Sequence, residues 1–339
     1  MSVQVEKVFL VNMGHAFPPH VIPNAFFEEL GIGSSAEWIR DRTGIESRCS
    51  VVDPATLRQL QTKQLSYLDV VRDSVRGMSL AAFAEAPWEM LVQRIGAALM
   101  PEVLICGTSV PDYDIPANAS TIAARLQLSS FCFDANSACS SFLTNLLVAK
   151  GLLDSNAFST AAIFTPERYS LRLDYTDRTS SFLFGDGSAA AYLARGADLT
   201  GFEIVDVCMK SDASGYESVQ MPVGQYFGQN GAAVQKFAIR RTCESTEAIL
   251  QRNGLTLSDV QYFVGHQANL RMLQSVCNRL GLTEAQHLYN VDEFGNQGAA
   301  GGPIVLSQNW HRFMDGDLVV ITLVGSGLTW GSALLRFHT

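Results

Sequence analysis

The sequence predicts an α/β fold made of two similar halves, and three observations lead to this prediction. Short β-branched or apolar runs alternate with longer segments of helical periodicity along the chain. The residues that begin at Gly187 resemble those that begin at Gly331, and a helix start rich in small residues precedes each, at Cys139 and at Asn296. No low-complexity linker divides the chain. We therefore expect one closely packed unit whose halves join near residues 195–202, although so short an internal match also arises by chance.

Each element is predicted from its own local pattern. Strands are predicted where a short β-branched or apolar run is bounded by turn residues. They are Lys7–Val11, Val103–Cys106, Phe131–Phe133, Ala161–Phe164, Gln261–Val264 and Leu318–Leu323. Helices are predicted where apolar residues recur at helical spacing. They are Tyr67–Phe83, Ser120–Leu126, Ser140–Leu153, Gln235–Asn253, Leu270–Leu280 and Ala300–Phe313.

Composition and charge narrow the possible functions. Hydrophobic residues make up 47% and charged residues 17% of the 339 residues, which predicts a sizeable core. A formal net charge of −9 disfavours a nucleic-acid partner, because such proteins need a basic face. Seven cysteines without a C-x-x-C pair predict neither a disulfide framework nor a zinc site. We expect no metal, no membrane span and no secretory signal, and therefore a cytoplasmic protein.

The first chemical signal is a strand, a tight turn of small residues and an apolar-faced helix, with Cys139 where the helix starts. Unpaired backbone N–H groups and the dipole of a helix N-terminus favour the thiolate, which is the nucleophilic form of cysteine. The alternative is a buried structural cysteine. The other six cysteines lack this setting, and we expect them to be structural.

Further signals lie in the second half of the chain. His266 directly follows a predicted strand, where side chains tend to face a crevice, and an imidazole exchanges protons near pH 7. The alternative is a surface or capping histidine. Asn296 begins a glycine- and alanine-rich run that has too few large side chains to pack as an ordinary core. The Asn296 amide either donates to a substrate oxygen or caps a helix. The turn at Gly325-Ser326-Gly327 either directs a backbone N–H at an oxyanion or is a plain turn.

Missing motifs disfavour several other enzyme classes. The chain has no G-x-S-x-G elbow of a serine hydrolase and no G-x-x-x-x-G-K-[ST] phosphate loop. The segment Gly185-Asp-Gly187 lacks the rest of a dinucleotide fingerprint. These absences leave the order of cysteine, histidine and asparagine as the main functional signal.

Taken together, the motifs resemble the β-ketoacyl-ACP synthase III family of the thiolase superfamily, nearly end to end. The similar segments are Glu37–Ile45 (the family's E-W-I-x-x-R-T-G-I), the turn at Cys139, Thr176–Arg178, Phe184–Gly187, His266–Arg271, Gly295-Asn296 and Gly327–Ala333. The resemblance implies a thiolase fold, in which two similar βα halves pack as a five-layered α-β-α-β-α unit. It also implies an N-terminal half, residues 1–196, that carries the nucleophilic cysteine, and a C-terminal half, residues 197–339, that carries the histidine and the asparagine.

The resemblance implies a role for each of these residues. Cys139 is expected to accept an acyl group, with the backbone N–H groups of Cys139 and Ser326 holding the oxyanion. His266 and Asn296 are expected to stabilise an enolate by hydrogen-bonding the thioester carbonyl of a malonyl-type extender. The implied reaction is a decarboxylative Claisen condensation with a malonyl-type or β-ketoacyl thioester on acyl carrier protein, in fatty acid or polyketide-like biosynthesis. Acyl-CoA or acyl-ACP is a substrate, and no cofactor is expected.

Binding residues also follow from the resemblance. The positions that match contacts to CoA and pantetheine are Trp38, Arg42, Arg178, Gly231 and Asn269. The residues expected to dock an acidic carrier protein are Lys236, Arg240, Arg241 and Arg271, and the alternative for the first three is a solvated helix face. Ile115 stands where the family has an aromatic residue that crosses a homodimer interface into the partner's acyl pocket.

Several departures from the family pattern concern substrate choice. Residues 221–231 form a shorter lid loop, and Gln297 and Gly298 stand where Thr-Ser is usual. Ser326 replaces a glycine of the oxyanion hole, where a Cβ makes some backbone dihedrals costly. We therefore expect a different acyl pocket or a specialised pathway. The alternative functions are an acyltransferase or a non-decarboxylative condensing enzyme of the same fold (pyrone, resorcinol or quinolone type), and a non-catalytic partner subunit.

Overall fold

The computed structural model describes residues 6–66, 68–70 and 78–339. Its main feature is a hydrogen-bonded array of ten strands: β1 (Lys7–Ala16), β4 (Val103–Cys106), β5 (Phe131–Asp134), β6 (Thr160–Glu167), β7 (Gly187–Gly196), β8 (Gly201–Ser211), β11 (Tyr262–Gly265), β12 (His287–Leu288), β13 (Leu318–Gly325) and β14 (Thr329–His338). Two short ribbons lie beside it, β2 (His20–Pro23) with β3 (Ser47–Ser50) and β9 (Val219–Gln220) with β10 (Gly228–Gln229).

The strand order repeats between the two halves of the chain. It is β5-β4-β6-β7-β1 in the first half and β12-β11-β13-β14-β8 in the second. In each half the first three strands run parallel, and the last two are added antiparallel. Strands β7 and β14 contain the similar segments at Gly187 and Gly331, and they hold the same place in this order. The exact boundary between residues 1–196 and 197–339 stays a prediction.

Helices cover and separate these strands. They are α1 (Asn24–Glu29), α2 (Ala36–Thr43), α3 (Pro54–Gln61), α4 (Leu80–Phe83), α5 (Glu85–Ile95), α6 (Asn118–Leu126), α7 (Ser141–Asp154), α8 (Gly231–Arg252), α9 (Leu270–Leu280), α10 (Val291–Phe294) and α11 (Gly301–Gln308). Single 3-10 turns lie at Tyr169–Arg172, Ala213–Ser218, Leu257–Asp259, Gly298–Ala300 and Trp310–Arg312. Within the described ranges, none of the helices has both the length and the apolar character that crossing a bilayer requires.

Residues along the central strands are buried on both faces, and successive side chains pack into different cores, which defines the layers. In the first half, Ile105 of β4 packs in one core with Phe142 of α7, whereas its neighbour Leu104 packs on the other face with residues of α5 and α6. In the second half, Ile321 of β13 shares the first core, whereas Val320 faces α8 and α9. Helices α7 and α11 therefore lie between the two sets of strands, and α5, α6, α8 and α9 lie outside them.

Most of the predicted elements agree with the structure to within a few residues. The predicted helix Ala300–Phe313 ends at Gln308 and continues only as a 3-10 turn, and the prediction Tyr67–Phe83 lies partly outside the described residues. The long antiparallel strands β7, β8 and β14 were missed. In β7 the reason is composition, because Gly187-Ser-Ala-Ala-Ala has no β-branched residue. Small side chains are required there, since a Cβ on Gly187 would lie 2.4 Å from Nε2 of Gln297.

Candidate active site

Cys139 lies in the turn between β5 and α7. Ala138 adopts a left-handed backbone with φ of 51°, which costs about 1 kcal/mol for a residue with a Cβ. Two hydrogen bonds hold this conformation: Ala138 N donates to Asn136 Oδ1 at 2.7 Å, and Ser141 Oγ donates to the Ala138 carbonyl at 2.6 Å. The turn thus places the cysteine immediately before the first turn of α7, as the sequence predicts.

The predicted catalytic residues converge on one cavity. Cys139, His266, Asn296 and Ser326 all line one cavity of about 70 Å³. Cys139 follows β5, His266 follows β11, and Ser326 follows β13, so each comes from the carboxyl end of a strand. A Cβ on Gly325 would lie 2.5 Å from the carbonyl oxygen of Ser137, so the end of β13 packs directly against the cysteine turn. The cavity is therefore built from both halves of the chain.

The protonation state of Cys139 differs from the sequence-based expectation. Burial and, to a smaller extent, the nearby carboxyl group of Glu167 together raise the pKa of the Cys139 thiol to about 12. The hydroxyl of Tyr169, with Oη 3.8 Å from Sγ, acts in the opposite direction and lowers this pKa. The expected stabilisation of a thiolate by the helix N-terminus is outweighed by the loss of solvent. In the resting site Cys139 is therefore a neutral thiol.

His266 is buried and uncharged. Burial lowers the pKa of its imidazole to about 4, so the ring is neutral at physiological pH. Its Nδ1 has no hydrogen-bond partner among the described residues. The backbone on either side is fixed by Gln267, whose Nε2 donates to the Gly265 carbonyl at 2.8 Å and whose Oε1 accepts from Asn290 N at 3.1 Å. A neutral imidazole in a rigid turn can exchange a proton with a bound substrate.

The amide of Asn296 has a fixed orientation. Its Oδ1 accepts a hydrogen bond from the N–H of Gly298 at 3.0 Å, while its Nδ2 has no partner within the described part of the chain. Gly298 adopts φ of 55°, and a Cβ there would lie 2.4 Å from Cε2 of Tyr169. Holding the amide oxygen in this way leaves the NH₂ group as the free end, which is the donor that an anionic substrate oxygen needs.

Ser326 keeps an accessible backbone in spite of its side chain. Its φ lies outside the left-handed region, so the expected strain from replacing a glycine does not arise. Its Oγ donates to the carbonyl of Val219 at 2.6 Å, which joins the end of β13 to β9, just before residues 221–231. The Ser326 side chain thus binds a backbone carbonyl away from the oxyanion position. The role of the Ser326 backbone N–H in the oxyanion hole stays a prediction.

The predicted CoA and pantetheine residues lie together in a groove of about 390 Å³. Trp38, Arg42, Arg178, Gly231 and Asn269 line it, and the groove reaches Asn296 at its inner end. The Arg178 guanidinium lies 5.0 Å from the centroid of the Trp38 ring, and that of Arg42 lies 5.4 Å from it. Arg178 therefore covers a face of the Trp38 ring, and stacking the adenine of CoA between these two residues requires the arginine side chain to move.

The predicted docking patch is partly neutralised. Arg240 and Arg241, both on α8, pair with Glu244 at 3.9 Å and 2.8 Å. Arg241 also stacks on Trp330, with its guanidinium 4.5 Å from the ring centroid. Arg271 donates from Nε to the carbonyl of Asp41 at 3.1 Å. Of these docking residues, Lys236 and Arg271 are the cations without a charged partner among the described residues, and docking stays a prediction.

Ile115 does not line the Cys139 cavity of its own chain. It lies in the loop after β4 with 86% of its surface exposed. The loop is held by Asp112, whose Oδ1 forms a fully buried ion pair with Arg168 at 2.5 Å. A role in an acyl pocket thus requires a second copy of the chain, and it stays a prediction.

Glu167 and Tyr169 were missed by the sequence analysis. Glu167 ends β6 and is fully buried; it accepts hydrogen bonds from Ser109 N at 3.0 Å and from Ala299 N at 3.2 Å. Burial raises the pKa of Glu167 to about 7. An acid at the carboxyl end of a buried strand was the available signal, because such residues face the crevice of an α/β fold. The described residues contain no cluster of histidine, cysteine, aspartate and glutamate that could hold a metal ion.

The chain is similar along nearly its whole length to known proteins of one family. Family descriptions match at residues 133–213 (3-oxoacyl-[acyl-carrier-protein] synthase III) and 250–337 (its C-terminal part). The β-ketoacyl-[acyl-carrier-protein] synthases III of Aliarcobacter butzleri and Oceanobacillus iheyensis are 32% and 30% identical; the matches cover 96% and 98% of this chain and 96% and 99% of those proteins. The crystal structure of 3-oxoacyl-(acyl carrier protein) synthase III from Pseudomonas aeruginosa superposes with a TM-score of 0.86 at 27% identity, covering 98% of this chain and 99% of that one.

Fold and site together define an acyl-transferring condensing enzyme of the thiolase superfamily, and the predicted thiolase fold is confirmed. Within that class, the chain belongs to the β-ketoacyl-[acyl-carrier-protein] synthase III family.

Proposed function

We propose that the protein is a ketosynthase that forms a carbon–carbon bond by decarboxylative Claisen condensation. One observation carries this proposal: a thiol, a neutral imidazole and an oriented carboxamide face the same cavity. This cavity adjoins the groove lined by Trp38 and Arg178, since Asn296 lines both. An acyl chain delivered on a pantetheine arm along the groove therefore reaches the sulfur of Cys139.

In the first step, Cys139 takes an acyl group from a thioester donor. Its sulfur attacks the thioester carbonyl, the tetrahedral oxyanion is held by the backbone N–H groups of Cys139 and Ser326, and the carrier thiolate leaves. Because the pKa of the thiol is about 12, its proton must depart during the attack. The neutral imidazole of His266 is the basic group in the cavity, and it passes this proton to the leaving thiolate.

In the second step, a malonyl-type thioester occupies the emptied groove. His266 and the Nδ2 of Asn296 donate hydrogen bonds to its thioester carbonyl, so loss of CO₂ leaves an enolate that both groups stabilise. The enolate carbon attacks the acyl-enzyme, and Cys139 departs as a thiolate that takes up a proton from water, because its own proton left with the donor thiol in the first step. Both donors are uncharged, so they stabilise the enolate without quenching it, and each such donor is worth about 3 kcal/mol.

Carrier binding follows from the same groove. We propose that Trp38, Arg42, Arg178, Gly231 and Asn269 hold the nucleotide and pantetheine of CoA, and that Lys236 and Arg271 meet an acidic carrier protein. The guanidinium groups of Arg42 and Arg178 at the rim support this, since they complement a phosphate or an acidic helix. Asn269 has a second task, because its Oδ1 caps α9 by accepting from Met272 N at 2.8 Å.

The protein is also proposed to be a homodimer. Strand β5 lies at one end of the strand order, which leaves one of its edges unpaired, and Phe131 on it is 57% exposed. The loop that carries the exposed Ile115 is tied to this strand, because Asn118 N donates to Asp134 Oδ2 at 2.7 Å. Pairing along β5 would cover both side chains and carry Ile115 toward the partner's cavity. Sedimentation should give twice the chain mass, and a fully active monomer would contradict this proposal.

The condensation proposal is tested by intact-mass detection of acylated protein after incubation with acyl-CoA and acyl-ACP donors. The wild type should gain one acyl group, and Cys139→Ala should gain none. Adding malonyl-ACP to the acylated protein should release CO₂ and form a β-ketoacyl product. Acylation followed by transfer without CO₂ would instead indicate an acyltransferase or a non-decarboxylative condensing enzyme.

A further inference from the structure

A second cavity opens on the far side of Cys139. It has a volume of about 310 Å³, and we call it the outer cavity; it is lined in part by Ser109, Cys139, Tyr169, Met221, Phe227 and Ser326. If Cys139 carries an acyl group, as proposed above, the cavity is where the first carbons of that group would lie. The inference below therefore rests on the proposed function, and it concerns which acyl groups fit.

Tyr169 places a hydroxyl group beside the reacting sulfur. Its ring is buried and stacks on Phe184 at a centroid distance of 4.5 Å, with Phe227 edge-on at 6.1 Å. These two rings fix the phenol so that its Oη lies 3.8 Å from Sγ of Cys139. The thiol is the hydrogen-bond partner of this hydroxyl among the described residues.

Ser109 adds a second hydroxyl to the same cavity. Its oxygen is buried and forms no hydrogen bond of standard geometry with the described residues. Ser109 and Tyr169 line the same outer cavity. Burial raises the pKa of Tyr169 well above its ordinary value, whereas a hydrogen bond with the neighbouring Ser109 hydroxyl lowers it. Tyr169 therefore stays protonated at physiological pH and remains a donor. A plain alkyl chain in this cavity has no polar atom that could hydrogen-bond these two hydroxyl groups.

Acylation of Cys139 removes the partner that contacts Tyr169 with standard hydrogen-bond geometry, and it leaves the Ser109 hydroxyl as the polar neighbour of the phenol. The thioester sulfur has no S–H to donate, and it is a weak acceptor. An unsubstituted alkyl acyl group would then cover two buried hydroxyl groups and leave them only their contact with each other, which lacks standard hydrogen-bond geometry. Leaving one buried polar group unpaired disfavours a complex by about fivefold to a hundredfold. An oxygen on the acyl chain, next to the thioester carbonyl or one carbon further, would lie within reach of both hydroxyls.

We propose that Tyr169 and Ser109 select an acyl group that carries a hydroxyl or keto oxygen on its α- or β-carbon. The substrate loaded onto Cys139 is then an oxygenated acyl thioester and not a plain alkanoyl group. No additional reactant is needed, because loading remains an exchange of one thioester for another. The donor thiol leaves with the proton of Cys139.

The test compares acyl groups of equal length. Butanoyl, 2-hydroxybutanoyl, 3-hydroxybutanoyl and 3-oxobutanoyl thioesters of CoA and of a carrier protein are each mixed with the full chain, and the rate of Cys139 acylation is followed by intact mass. At least one oxygenated group should load about tenfold faster than butanoyl. Comparing the four acyl groups identifies which carbon carries the oxygen and whether that oxygen is a hydroxyl or a keto group.

Variants then assign the preference to the two hydroxyls. Tyr169→Phe keeps the ring and its stacking, so it should reduce the ratio of oxygenated to butanoyl loading to near one; Ser109→Ala should lower it part of the way. Tyr175→Phe is the matched control, because it removes another buried hydroxyl, which donates to the Ser170 carbonyl at 3.0 Å away from the cavity. It should leave the ratio unchanged.

The outcomes separate this inference from the proposed function. Loading of butanoyl as fast as every oxygenated group, or a preference that survives both Tyr169→Phe and Ser109→Ala, would overturn the inference alone. No acylation of Cys139 by any donor would overturn the condensation mechanism and the inference with it.

Discussion

Replacing Glu167 with glutamine should change how stability depends on pH. Burial raises the pKa of Glu167 from 4.5 to about 7, so the folded protein holds a proton that the unfolded chain has already released. Below pH 4.5 both states are protonated and the carboxyl group causes no difference. Between pH 4.5 and 7 unfolding releases a proton, so stability falls as the pH rises, and above pH 7 the whole penalty is present.

The size of this effect follows from the difference between the two pKa values of Glu167. A tenfold change in proton affinity is worth about 1.4 kcal/mol, so the ionised carboxylate should destabilise the fold by roughly 3 kcal/mol at pH 8. Glutamine also loses a hydrogen bond, because an amide cannot accept on both sides as the carboxylate does. That loss is independent of pH, so it shifts the whole curve without changing its slope.

The assay is urea unfolding of the wild type and Glu167→Gln at several pH values from 4.5 to 8. The free energy of unfolding of the wild type should fall relative to the variant by roughly 3 kcal/mol across this range. Glu89→Gln, at an exposed position on α5, is the matched control and should run parallel to the wild type. Parallel curves for Glu167→Gln and the wild type would refute the reasoning, because they would mean that burial does not control this carboxyl group.

Three further predictions concern the site. Gly298→Ala should lower the free energy of unfolding by about 2–4 kcal/mol and slow condensation, since φ of 55° and the Tyr169 ring leave no space for a Cβ; Gly151→Ala, with open space around it, is the control in a urea melt. In the variant Glu167→Gln, which removes the nearby carboxyl group with a pKa of about 7, the rate of acyl loading should not change from pH 8 to 5, because the pKa of His266 is about 4. A titration midpoint of this rate near pH 6.5 would contradict the prediction. Alkylation of Cys139 by iodoacetamide should rise about tenfold for each pH unit from 6 to 9, because the thiol has a pKa of about 12; a plateau in that range would indicate a preformed thiolate.

The positions of the proposed catalytic residues were predictable from local patterns, because two of them follow a strand and the third lies in a glycine-rich run. Cys139 and His266 each follow a short apolar run that fits a strand and precede a helix, so both were assigned to the carboxyl ends of strands. Asn296 was marked by the glycine-rich run around it. Such local patterns report where the backbone turns, and the repeated strand order then brings these turns together.

What the sequence does not report is the environment that forms when the two halves pack. The helix N-terminus at Cys139 predicts a thiolate, yet the thiol is neutral because residues distant in sequence exclude water from it. Glu167 and Tyr169 have no motif of their own; their importance arises from contacts with Ser109, Ala299 and Cys139. Strand β7 was missed for a similar reason, since its alanines are selected by close packing and not by strand propensity.

The most direct test of the mechanism separates its two steps in the variant Asn296→Ala. The amide of Asn296 is proposed to act only on the extender, so acyl loading of Cys139 should stay close to the wild-type rate. The rate of condensation with malonyl-ACP, measured as CO₂ release, should fall by about a hundredfold to a thousandfold. This loss corresponds to the removal of one hydrogen-bond donor to the enolate oxygen. Equal loss of loading and condensation, or condensation at the wild-type rate, would contradict the proposal that this amide stabilises the enolate.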